Sequence, residues 1–148
     1  MTPENLSLLV QDLRRDEGVR YVPYEDTMGI PTVGVGHNLR ASPLQSGWTY
    51  PLTDAQVDQL LLCDITNVFS DLDRNLPWWR DLNDVRMRVL ANMMFNLGAS
   101  KLLGFKNTLT AVRQGRYIDA ANGMLNSAWA SQVKDRAIRL ADMMRTGA

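Results

Sequence analysis

A single cysteine, Cys63, in 148 residues leaves no internal disulfide to form and fits synthesis under reducing conditions. It stands in "QLLLCDI", a run that reads as a buried structural thiol and not as a nucleophile. A single histidine, His37, makes no metal site alone, and no His/Cys/Asp cluster with ligand spacing accompanies it, so neither metal nor cofactor is expected. No apolar run reaches the length of a membrane span. The opening "MTPENLSLLV" has neither the basic flank nor the long apolar stretch of a secretion signal, so cytoplasmic accumulation without stable membrane association is expected. Gly34-Val35-Gly36 is too short for a dinucleotide fingerprint, and no helix pattern follows it. No serine stands in a nucleophile-elbow context, no nucleic-acid-binding motif occurs, and there is no internal repeat or low-complexity segment.

What is present is ordinary globular material, 45% hydrophobic and 22% charged, which excludes disordered and fibrous classes. The pattern reads helix, small β region, then mostly helix: an α+β chain, predominantly helical. "TPENLSLLVQDLRRDEG" is a first helix with Thr2 as N-cap, Pro3 in the first turn, an apolar stripe of Leu6, Leu9, Val10 and Leu13, and Gly18 as the stop. From Tyr21 to Val35 the residues turn β-branched and aromatic around the turn-like "DTMG", and Pro23 and Pro31 keep the strands short and edge-like. Gly34 and Gly36 suggest close backbone approach or sharp twist. After the loop "RASPLQSGWTYPL", "TDAQ" at Thr53 to Gln56 is a capping box opening a helix to about residue 73 on Val57, Leu60, Leu61, Ile65, Val68 and Leu72. "NLPWW" breaks the chain. Asn83 caps "DVRMRVLANMMFNLG", stopped at Gly98, and three shorter helical patterns follow near 106–114, 117–126 and 134–145. Met87, Met93, Met94 and Met124 read as core. Trp78, Trp79 and Trp129 read as packing residues, with a sugar-cleft position open to one of them.

The zero net charge conceals an asymmetry. Residues 1–73 hold four Arg against eleven Asp plus Glu, a balance of −7, and residues 74–148 hold twelve Lys plus Arg against five Asp, a balance of +7. Solvated surface charge segregated by chance is one reading. Two electrostatically distinct lobes, the basic one facing an anionic polymer, is the other.

"LRRDEGVRYVPYEDTMGIPTVGVGHNL" gathers Glu17, Asp26, Thr32 and His37 along a glycine-rich turn. A glutamate in a first helix is ordinarily solvated, and an aspartate in a turn ordinarily bonds its own backbone. Glu17, however, lies four residues beyond Leu13 and within roughly 40° of the apolar stripe, so it continues the buried face. Partial burial disfavours the charged form and suits a carboxyl that must act as an acid, whereas Asp26 in a polar turn stays ionised. Two carboxyl groups in diverging environments are what glycosidic cleavage requires.

"DEG" at Asp16 to Gly18, "Y.D" at Tyr24 to Asp26, "T.G.GH" from Thr32 to His37 and the spacing Glu-x8-Asp-x5-Thr resemble the signature of the bacteriophage lysozymes of glycoside hydrolase family 24. "DVRMRVLANMMFNLG", "GFKNTL" and "RAIRLADMMRTG" extend the resemblance over nearly the whole chain. It implies a two-lobed lysozyme-like fold in one catalytic domain, 1–148. A small lobe at about 14–55 and a helical lobe at about 74–148, the latter including the N-terminal helix 3–17, would be joined by a long helix at about 54–73. It implies hydrolysis of the β-1,4 bond between N-acetylmuramic acid and N-acetylglucosamine in peptidoglycan, by inversion, in phage-mediated host lysis. Glu17 would be the general acid, with Asp26 and Thr32 holding the water. Asn38, Phe95 and Thr108 fall at substrate-contact positions, and a further contact, an asparagine in the family, falls on Gly123. Arg136 matches the arginine that pairs with the catalytic glutamate, and His37 and Asp64 match a His–Asp pair. Glycan strands are the expected partner, the protein is expected to be a monomer, and a separate membrane pore, a holin, would carry it to the wall. Two alternatives stay open: a peptidoglycan-binding or virion-structural module without turnover, and a lytic transglycosylase.

Overall fold

The computed structural model describes residues 1–148 as eight helices and one three-stranded antiparallel sheet, an α+β fold dominated by helix. Helix α1 (Pro3–Glu17) begins where expected. The Thr2 side chain accepts from the Asn5 N–H, and Gly18, at φ 74°, ends the helix in a conformation that favours glycine. Leu9 and Leu13 are fully buried. At about 1.5–3 kcal/mol per buried side chain they hold α1 against the later helices, which fixes the residue at its C-terminus, Glu17.

The sheet runs in order β1 (Arg20–Glu25), β2 (Pro31–Gly34), β3 (His37–Asn38). Asp26 to Gly29 forms the expected turn, closed by the Gly29 N–H donating to the Asp26 carbonyl at 2.9 Å. β3 is a difference from the sequence reading. Two residues carry no alternation to detect, and this strand exists through pairing of Asn38 with Thr32 and of His37 with Val33. Helix α2 (Asp54–Asn75) opens on the full Thr53–Gln56 capping box and packs against β2 and β3. Its buried stripe is Val57, Leu61, Ile65, Val68 and Leu72. Cys63 lies two residues, about 200°, from both Leu61 and Ile65 and is therefore exposed, which corrects the reading of a buried thiol. The four-residue run "LLLC" cannot all face inward when one side of the helix meets water; Leu62 is exposed with it.

A 3₁₀ turn at Pro77–Asp81 buries Trp79, whose indole N–H donates to Asp73 at 2.7 Å. Then follow α3 (Asp84–Leu97), capped by Asn83, α4 (Ala99–Leu103), α5 (Lys106–Arg113), α6 (Tyr117–Leu125), α7 (Ala128–Val133) and α8 (Asp135–Thr146). The 3₁₀ turn, α4 and α7 differ from the sequence reading, because five or six residues are too few to display a 3.6-residue period. Met87, Met93, Met94 and Met124 are buried as expected, in one core that runs unbroken from Val33 and Val35 of the sheet region to Met144 of α8. Helix α1 packs on α3, and α3 on α8, so the chain's first helix sits among its last ones. No helix is long and apolar enough to cross a membrane.

Candidate active site

Glu17 ends α1 with its side chain only 17% exposed. Two elements hold it. Arg136 of α8 donates from Nη1 to Glu17 Oε1 at 2.8 Å, and the backbone of Gly36 passes close beneath. A Cβ at residue 36 would stand 2.8 Å from Glu17 Oε2, and φ there is 64°, so both space and backbone require glycine. The close approach read from the sequence at Gly36 is therefore an approach to the carboxyl itself.

Arg136 is held in turn. Its Nε and Nη2 both donate to Asn92 Oδ1, at 3.0 and 2.8 Å, and Asn92 Nδ2 donates to Asp16 Oδ2 at 2.9 Å. The Asp16 side chain is fully buried and also accepts from Arg139 at 2.6 Å and Arg15 at 3.1 Å. Burial alone would push the Asp16 carboxyl up, but bonds from Arg15, Asn92 and Arg139 and the charge of Arg136 hold it below the ordinary carboxylate range. Asp16 and Asn92 are site residues that sequence reasoning missed. One signal was available: Asn92 stands inside the apolar "LANMMF", and a fully buried amide has to find partners.

Asp26 lies just past β1. Its Oδ1 accepts from the N–H groups of Met28 (2.8 Å) and Ile30 (2.9 Å), while Oδ2 takes no bond from the chain. Thr32, 4% exposed on β2, donates its hydroxyl proton to the Ile30 carbonyl at 2.8 Å. What remains at this turn is a carboxylate oxygen of Asp26 and the lone pairs of the Thr32 hydroxyl, both acceptors.

Asn38 and Phe95 come together in the lining of a cavity of about 300 Å³ with Gly36, His37, Asp64 and Asn67. Glu17, Asp26 and Thr32 do not line it; Gly36 borders both it and the Glu17 carboxyl. Asn38 spends its Oδ1 on the Arg40 and Ala41 N–H groups, which leaves its Nδ2 as the donor to offer a sugar. Thr108 lies apart on α5, in cavities it shares with Asn107 and Gly123. A Cβ at residue 123 would stand 2.3 Å from Thr108 Oγ1, so the threonine hydroxyl occupies the space a larger residue would need. None of Trp78, Trp79 and Trp129 lines the cavity of Asn38 and Phe95; the Trp129 N–H is spent on Asn96 at 2.7 Å.

His37 is buried, with Nδ1 2.7 Å from Asp64 Oδ2 and Nε2 2.8 Å from the Ser42 carbonyl. Burial alone would lower its pKa, but the Asp64 bond and charge and the Ser42 carbonyl together raise it. The linkage follows. The histidine's stabilisation is fully present below its unfolded pKa of about 6.5 and is lost as pH rises through the higher folded value. Asp64→Asn is expected to lower the His37 pKa measured by NMR titration and to cost stability mainly on the acid side of that window. An unchanged His37 pKa would count against the coupling.

The phage lysozyme family matches residues 14–141, and the chain belongs to that family. It is accordingly a glycoside hydrolase of the lysozyme class. The endolysin of Salmonella phage P22 is 33% identical over 133 residues, covering 86% of this chain and 84% of that protein. Probable T4-type lysozyme 1 of Dictyostelium discoideum is 24% identical over 91% of this chain and 92% of its own length. The pre-baseplate central spike protein Gp5 of Enterobacteria phage T4 is 29% identical over 97% of this chain, which spans only 28% of that relative's length.

Proposed function

We propose that the chain cleaves the β-1,4 bond between N-acetylmuramic acid and N-acetylglucosamine in peptidoglycan, with inversion, in phage-mediated host lysis. Glu17 is the general acid that protonates the leaving oxygen. Asp26 Oδ2 and Thr32 Oγ1 accept the two hydrogens of a water, orienting its lone pair toward the anomeric carbon, and Asp26 takes the proton as it attacks. Asn38, Phe95 and Thr108 contact the glycan, and Arg136, His37 and Asp64 support the site. The protein acts as a monomer in one catalytic domain, a small sheet lobe and a helical lobe joined by α2, and reaches the wall from the host cytoplasm through a separate pore.

The observation that carries this reading is the state of Thr32. Its proton is already committed to the Ile30 carbonyl, so toward any further partner the hydroxyl can only accept. An acceptor beside Asp26 has an evident task when a water is to be held and none when Asp26 itself attacks the sugar. Inversion also needs carboxyl groups about 6.5–9.5 Å apart, against about 5 Å for retention. NMR of fresh product from purified glycan strands is expected to show the α-anomer first. A β-anomer overturns inversion, and an anhydro-sugar would make the protein a transglycosylase.

A further inference from the structure

Tyr24 of β1 has no part in the roles assigned above. It pairs directly with Thr32 across β1 and β2, and Thr32 pairs with Asn38 across β2 and β3. Directly opposed residues of an antiparallel ladder project to one face, with Cβ atoms about 4.5–5.5 Å apart. Tyr24, Thr32 and Asn38 therefore form one row across the sheet. Asp26 stands just past the end of this strand, two residues beyond Tyr24.

The tyrosine is held but its hydroxyl is unspent. Its ring is half-buried, with the Arg20 guanidinium 5.0 Å from the centroid. The neighbouring Tyr21 donates to Asp54 at 2.6 Å, whereas the Tyr24 hydroxyl has no partner in the chain and is not among the polar atoms sealed from solvent. Burial first, then the Glu17 charge, and last that of Asp26, against an opposing Arg20, hold this phenol above its ordinary value. It keeps its proton well past neutrality. Asp26 Oδ2 and Thr32 Oγ1, the groups that would hold the water, only accept. Sugar hydroxyls and N-acetyl carbonyls offer acceptor oxygens, and in this row the Tyr24 phenol joins the free Asn38 Nδ2 as a donor to meet them.

We infer that Tyr24 is a further substrate-contacting residue, donating its phenolic hydrogen bond to the sugar ring on the side from which Asp26 and Thr32 deliver water. The inference rests on the roles proposed for Glu17, Asp26 and Thr32. A donor there holds the ring against the water, and misplacement of a reacting centre by about 1 Å can cost about 100-fold in rate.

Tyr24→Phe keeps the ring, the strand and the Arg20 stacking and removes only the O–H. On soluble glycan strands of defined length, kcat should fall about 10- to 100-fold, with KM within about threefold and the melting temperature unchanged. A kcat within twofold of wild type overturns the inference, as does a loss that vanishes on cooling below the variant's melting range. Independently, a ¹³Cζ label at Tyr24 in the Glu17→Gln protein should shift when the same glycan is added, and an unmoved resonance overturns the contact. Glu17→Gln and Asp26→Asn are assayed alongside. Full activity in Tyr24→Phe beside two inactive carboxyl variants defeats this inference alone, whereas full activity in the carboxyl variants defeats the proposed roles and this inference with them.

Discussion

Glu17→Gln is expected to slow hydrolysis of purified peptidoglycan by about 10²- to 10⁴-fold, the usual contribution of a positioned general acid. The substitution is nearly isosteric. The amide oxygen still accepts from Arg136, and the side chain still rests on Gly36, so the geometry around the bond is preserved. What disappears is the proton that the leaving oxygen must receive. Release of reducing ends gives the rate, and circular dichroism verifies that the fold is in place. A fully active Glu17→Gln would remove the carboxyl from the mechanism.

Asp16→Ala is expected to cost about 3–5 kcal/mol at neutral pH, the range for removing one partner of a buried ion pair. Asp16 is fully buried; when its carboxylate goes, Asn92 Nδ2 and Arg136, 7% exposed, cannot turn to water, and Arg136 keeps only Glu17 as a counter-charge. Arg15 and Arg139 are 49% and 41% exposed and can, which places the cost toward the lower end. Because the Asp16 carboxyl is held below its ordinary value, its stabilisation is present above the unfolded pKa of about 3.9 and lost as pH falls through the folded one. Urea unfolding should therefore show a wide gap between wild type and variant at pH 7 that narrows at strongly acid pH. A variant as stable as wild type at pH 7 would show that the buried cluster contributes nothing to stability.

The local grammar of this chain was legible. Thr2, Thr53 and Asn83 cap helices and Gly18 and Gly98 end them, because capping depends on neighbours within four residues. The Glu17 carboxyl could be placed on the buried face by counting from Leu13. Relations between distant segments were not legible. Asp16 adjoins Glu17 in sequence, yet its partners Asn92 and Arg139 stand 76 and 123 residues away. The charge asymmetry had the same flaw as a guide. Part of it is cancelled inside the fold, where Arg88, Arg136 and Arg139 of the basic half meet Asp12, Asp16 and Glu17 of the acidic half. Halves of a sequence are not faces of a molecule.

The bond from Arg136 to Glu17 spans 119 residues of chain. In the order of synthesis, the glutamate leaves the ribosome 119 residues ahead of its arginine. At about 5–20 residues per second, the carboxyl exists for roughly 6–24 s before its partner has been made. Gly36 is available early, but the Asn92–Asp16 cradle waits on α3, and the closing arginines wait on α8. A growing chain therefore carries every residue of the "DEG…T.G.GH" stretch without a finished site. The bond that holds Glu17 from the far side of the sequence forms only after α8 has been made.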